Sequence, residues 1–72
     1  MDTKITIKRG LKTWDFAQGV LKQYAGHILT DKANDYIELY IYSNIKIVFT
    51  NNLYIIGNNR IEKDYILDLE AI

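Results

Sequence analysis

The chain has no cysteine and no proline, a single histidine and only four glycines. Without cysteine there is no disulfide framework, thiolate metal site or thiol nucleophile, and His27 alone does not make a zinc cluster. The glycines, Gly10, Gly19, Gly26 and Gly57, match neither a P-loop nor a dinucleotide-binding fingerprint. No apolar run approaches the roughly 20 residues of a membrane-spanning helix, and the start, MDTKITIKRG, lacks the apolar stretch and cleavage site of a secretory signal. A cytoplasmic protein is the expectation. An excess of either charge is missing as well, since 9 basic and 9 acidic residues cancel. That balance disfavours non-specific attraction to nucleic acid or anionic lipid, and equally an acidic nucleic-acid mimic.

Catalytic constellations are also missing. His27 has no serine or cysteine nucleophile pattern and no second histidine to accompany it. Asp31 with Asp35, and Asp64 with Asp68, are spaced like neighbours on a helix face, but they fall in an expected loop and an expected strand. Asp31, Asn34 and Asp35 lack the spacing of a calcium loop. No catalytic residue, metal site or cofactor is assigned, and the chain is not expected to be an enzyme.

What is present is a single domain, residues 1–72, of the size at which one core is barely sufficient and oligomerisation is the remaining staple. The apolar share of 49% and the charged share of 25% are those of an ordinary globular chain.

Thr3 to Lys8 alternates, Ile5 and Ile7 against Lys4, Thr6 and Lys8, as a half-buried strand does. Residues 13–26 follow with apolar side chains at Trp14, Ala17, Val20, Leu21, Tyr24 and Ala25, the spacing of an amphipathic helix. Thr13 is the expected N-cap, Asp15 the first-turn anion and Gly26 the left-handed exit, after which His27 donates to the last carbonyls. Gly19 inside the helix is read as tolerated. His27 to Asp35 is the expected connection.

From Tyr36 to Ile56 the sequence YIELYIYSNIKIVFTNNLYII holds three β-rich runs. Ile37, Leu39 and Ile41 share a face opposite Tyr36, Glu38, Tyr40 and Tyr42. A three-residue loop over Tyr42, Ser43 and Asn44 pairs Ile41 with Ile45, Leu39 with Ile47 and Ile37 with Phe49, keeping Lys46 out of the core. Asn51 and Asn52 form a tight turn that pairs Phe49 with Tyr54 and Ile47 with Ile56. Gly57, Asn58 and Asn59 turn again, bringing Ile61 back to Ile56. Residues 64–70 read as a strand, with Asp64 also able to cap a helical turn, and Ala71 and Ile72 dock on the sheet or a partner. The fold class is α+β, in the order β-α-β-β-β(-β), with a mainly antiparallel sheet packed on the one helix.

Two binding functions fit this pattern. In the first, Tyr36, Tyr40, Tyr42, Leu53 and Ile55 form a second, apolar sheet face through which a protein-interaction module meets its partner, a second copy foremost. The acidic Glu62, Asp64, Asp68 and Glu70 at one end and the basic cluster at the other suit such self-association. In the second, the tyrosines stack single-stranded nucleic acid while Lys4, Lys8, Arg9, Lys12 and Lys46 follow the phosphates. Glu38 inside the tyrosine row and the neutral charge weigh against it. A third possibility is that the tyrosines pack under the protein's own tail. The small size, the Ile-, Asn-, Lys- and Tyr-rich composition and the lack of a catalytic signature resemble accessory proteins of phages or mobile elements of AT-rich bacteria. That resemblance implies a protein that binds and inhibits a host protein.

Overall fold

Strand β1 (Thr3–Lys8) realises its alternation, with Ile5 and Ile7 fully buried and Lys4, Thr6 and Lys8 turned outward. The structure, a computed structural model, describes residues 1–72. Helix α1 (Leu11–Gln23) follows, then six further strands: β2 (Gly26–Thr30), β3 (Tyr36–Ile41), β4 (Ile47–Thr50), β5 (Leu53–Ile56), β6 (Asn59–Glu62) and β7 (Ile66–Ala71). They form two antiparallel sheets, one ordered β2-β3-β1-β7 and the other β4-β5-β6. A small α+β domain therefore stands as expected, with two sheets in place of one.

The helix begins two residues earlier and ends three earlier than its expected bounds of 13–26. Gly10 occupies the N-cap position in extended conformation, and the Trp14 N–H donates to its carbonyl at 2.9 Å. Thr13 is no cap: it is buried in the first turn, its hydroxyl 2.6 Å from the Lys8 carbonyl and 3.0 Å from that of Gly10. No acidic residue lies in the first turn, so Asp15 does not play the part assigned to it. Phe16, Ala17 and Val20 form the buried face, while Trp14 is 40% exposed and Ala25 lies outside the helix. At the other end Tyr24 leaves directly in extended conformation, because the chain runs into β2 without a left-handed step.

Gly26 is consequently a strand residue, paired with Ile41, and its requirement is space. A Cβ there would collide with the Tyr40 carbonyl oxygen and stand 3.1 Å from the Ile41 Cα. Gly19 is likewise more than tolerated, for a Cβ there would run into the Asn59 side chain. That asparagine donates to Gln23 Oε1 at 2.8 Å and to the Ile56 carbonyl at 3.1 Å, tying the helix to β6.

The expected pairing of β3 with β4 does not form. A strand has two hydrogen-bonding edges, and those of β3 are taken by β1, with Ile5 opposite Leu39 and Ile7 opposite Ile37, and by β2, with Ile28 opposite Leu39. Beyond Ile41, the Tyr42 N–H donates to the Ala25 carbonyl and Thr3 Oγ1 to the Ser43 carbonyl, which holds the chain against the first sheet before it departs. Ile45 precedes β4, outside any strand.

The second sheet follows its turn chemistry. Asn51 and Asn52 both have positive φ, 50° and 62°, and the pairs Phe49–Tyr54 and Ile47–Ile56 form as expected. Gly57, at φ 60°, and Asn58 make the next turn, so that Asn59 already pairs with Ile56 and Ile61 pairs with Tyr54 instead. At the tail both expectations are met in part: Lys63–Tyr65 is a single 3₁₀ turn and Ile66–Ala71 a strand beside β1. Ile72 and Asp2 exchange backbone hydrogen bonds at 2.8 and 3.2 Å, so the apolar terminus docks within the chain. One core joins Ile5, Ile7, Ile37, Leu39 and Ile41, the three helix residues, and Ile56 and Ile61 from the second sheet. No helix is long and apolar enough to cross a membrane.

Candidate functional site

The outer face of the four-stranded sheet carries a cross-strand row. Antiparallel register sets His27 opposite Tyr40, Tyr40 opposite Lys4, and Lys4 opposite Glu70, one residue from each strand on the same side. The His27 ring stacks on Tyr40 with centroids 4.9 Å apart and planes inclined by 16°, and Tyr42, just past the end of β3, hydrogen-bonds to His27 Nδ1. Lys4 Nζ lies 2.7 Å from Glu38, 3.6 Å from Glu70 and 5.8 Å from the Tyr40 ring centroid. A second row places Leu29, Glu38, Thr6 and Asp68 side by side, and Tyr36 stands opposite Lys8.

The hydrogen bond to Glu38 raises the Lys4 ammonium well above the ordinary lysine range, and that to Glu62 raises Lys12. A raised lysine pKa means that the stabilisation is complete below the ordinary lysine value and is lost only as pH climbs through the raised one. Melting temperature is therefore expected to show no loss attributable to Lys4 or Lys12 between neutral and mildly alkaline pH, and a decline only in the strongly alkaline range. A pH series of thermal melts, with Lys4→Met beside the parent, checks this.

The five residues expected to share one interaction face divide between two. Tyr36 and Tyr40 lie on the outer face of the four-stranded sheet, and Tyr42 joins them through His27. Leu53 and Ile55 stand on the other sheet, half-buried, beside Thr50 and Val48 of β4 and Glu62 and Arg60 of β6. The basic residues divide too. Lys4 and Lys12 are held in ion pairs, and Arg9 clamps the 31–35 loop, donating from Nε to the Asn34 carbonyl at 3.0 Å and from its guanidinium to the Asp31 carbonyl at 2.6 Å. Lys8 and Lys46 remain exposed, Lys46 just ahead of β4 in the second sheet. The opposite charges at the two ends of the sequence meet inside one chain, as Lys4–Glu70 and Lys12–Glu62, and need no second protomer.

His27 is the member of this face that the sequence pattern misses, because GHILT is short and reads as a connection. Its alternation was the available signal, with Ile28 inward and His27 and Leu29 outward. No three His, Cys, Asp or Glu side chains gather as a metal site would require. A cleft of about 180 Å³ between the sheets, lined by Ile45, Ile47, Leu69 and Ala71 among others, is smaller than the roughly 300 Å³ at which small-molecule sites begin, and a larger hollow of about 430 Å³ beside the Asn51–Asn52 turn has Leu53 as its one apolar lining residue. The chain matches no protein-family model, no curated protein and no solved structure.

Proposed function

We propose that the protein is a non-catalytic protein-interaction module whose contact surface is the outer face of the four-stranded sheet, centred on Tyr40 with Tyr36, Tyr42 and His27. The observation that carries this is the row His27–Tyr40–Lys4–Glu70, in which aromatic rings are fixed by stacking and hydrogen bonding and the one central cation is neutralised. Rings already held in place lose little conformational freedom on binding, and tyrosine offers a partner a large apolar body with a polar tip. The small size and the plain chemistry suit a phage or mobile-element accessory protein that binds and inhibits a host protein.

Nucleic acid is the weaker alternative. Two lysines, Lys4 and Lys8, share this face with three carboxylates, Glu38, Asp68 and Glu70, so phosphates approaching the tyrosines meet no basic excess. Fluorescent single-stranded oligonucleotides titrated across a salt series are expected to show no binding even at low salt. Affinity that falls log-linearly with salt would favour the nucleic-acid reading instead.

Tyr40→Glu tests the surface directly. Tyr40 is partly exposed, so the fold is expected to survive, while a central interface aromatic typically carries about 2 kcal/mol or more, roughly 30-fold in affinity. A bacterial protein retained by the parent and equally retained by Tyr40→Glu argues against this face; one retained by the parent and lost from the variant supports it.

A further inference from the structure

We infer that the free edge of β4 pairs with β4 of a second copy, antiparallel and centred on Val48, joining two three-stranded sheets into one. The turn chemistry dictates which backbone groups are free. A two-residue turn at Asn51 and Asn52 makes Thr50 and Leu53 the closing hydrogen-bonded pair, and alternation makes Val48 and Ile55 the next. Ile47 and Phe49 therefore direct their N–H and C=O groups away from β5. β4 has no other strand beside it, and neither residue takes part in any hydrogen bond outside the sheets.

Two of the other three edges are managed in ways that β4 is not. The edge of β7 is interrupted by a register shift opposite Thr6 and Ile7 and carries Asp68 and Glu70. The edge of β6 lies against the helix, through Lys12–Glu62 and Gln23–Asn59. β2 exposes one large aliphatic, Leu29. β4 has no bulge and no charge within it, and it exposes apolar side chains on both faces, Val48 at 42% and Phe49 at 50%.

A second copy fits this edge in a particular register. With Val48 facing its own equivalent across a two-fold axis, Ile47 stands opposite the other copy's Phe49. These are the residues with free backbone groups, and about four new hydrogen bonds close between them. Directly opposed residues share a face, so Ile47, which packs on the core, and the half-exposed Phe49 of both copies stay on one side. Lys46 falls opposite Thr50, so no like charges meet, and a chain with zero net charge approaches its copy without overall repulsion. Only 12 of 72 residues are buried in the single chain, which leaves a small core that gains from added cover. The tyrosine face lies on the other sheet and stays open in both copies, so the dimer is independent of the function proposed above and presents that surface twice.

The experiment is sedimentation velocity of the full chain from micromolar to several hundred micromolar, with circular dichroism confirming the fold. Val48 is exposed, so Val48→Lys and Val48→Glu are expected to fold. Each alone places like charges at the axis and should sediment as a monomer, whereas an equal mixture of the two should recover the dimer. Tyr40→Glu should remain dimeric. A parent that is monomeric at every concentration, a Val48→Lys variant that still dimerises, a mixture no larger than its components, or a monomeric Tyr40→Glu each overturns the inference. The last of these would instead make the tyrosine face the self-association surface.

Discussion

Gly26→Ala is expected to detach β2 from the four-stranded sheet. The added methyl would collide with backbone, the Tyr40 carbonyl oxygen, with the Ile41 Cα at 3.1 Å and Leu21 Cδ2 at 3.0 Å closing the other sides. A flexible side chain could give way, but two paired backbones move only by giving up their hydrogen bonds. Overpacking typically costs 1–3 kcal/mol, and a collision with backbone where the β2–β3 ladder begins should cost about 3 kcal/mol. A 72-residue domain has roughly 4–11 kcal/mol in total at the usual 0.05–0.15 kcal/mol per residue. Urea unfolding should show the midpoint falling by about a quarter or more. Amide exchange should show protection lost first at His27 and Leu29 of β2 and at Glu38 and Tyr40 of β3, whose hydrogen bonds join the two strands. Because His27 rides on β2, its stacking on Tyr40 should be lost as well, and binding through the tyrosine face with it. An unchanged midpoint would mean that β2 is not held as closely to β3 as this geometry requires.

Leu39→Ala is expected to be the most destabilising truncation. Leu39 is fully buried at the centre of β3, opposite Ile5 on one side and Ile28 on the other. Removing such a side chain costs the transfer free energy of its lost methyl groups plus that of the cavity, about 2.7–5 kcal/mol. With so few buried residues elsewhere to compensate, the variant should be largely unfolded at physiological temperature. Leu29→Ala, next to Ile28 but on the outward face and half exposed, serves as the control and should shift the midpoint little. Thermal melts of the two variants side by side check the contrast.

Most of the local structure was legible because alternation and turn chemistry act over a few residues. Ile5 and Ile7, and Ile37, Leu39 and Ile41, declared their faces by period two, and Asn51–Asn52 declared both a turn and the register of the strands it joins. The helix was legible in kind, but its ends were not. Thr13 looks like a cap in sequence, yet its hydroxyl is used against the Lys8 carbonyl, a contact made by the strand before it.

The candidate surface was legible in part, and for the same reason. Alternation correctly turned Tyr36 and Tyr40 outward, but it assigned Leu53 and Ile55 to the same face because it took β3 and β4 to be neighbours. His27 escapes the sequence pattern because a five-residue strand beside a glycine carries too little alternation to stand out from a loop.

The sequence by itself determined which side chains of β1 and β3 face the core, where the Asn51–Asn52 turn falls and the α+β class, since each depends on the pleat, on helical spacing or on the φ angles a residue tolerates. Only the tertiary structure decided the partners. An alternating strand such as β3 is equally compatible with any antiparallel neighbour that alternates, so Ile5 and Ile28 could take the places that Ile45 and Ile47 also fitted. Filling both edges of β3 divided the strands into two sheets. That division left Tyr36, Tyr40 and Tyr42 on one surface and the free edge of β4 on another.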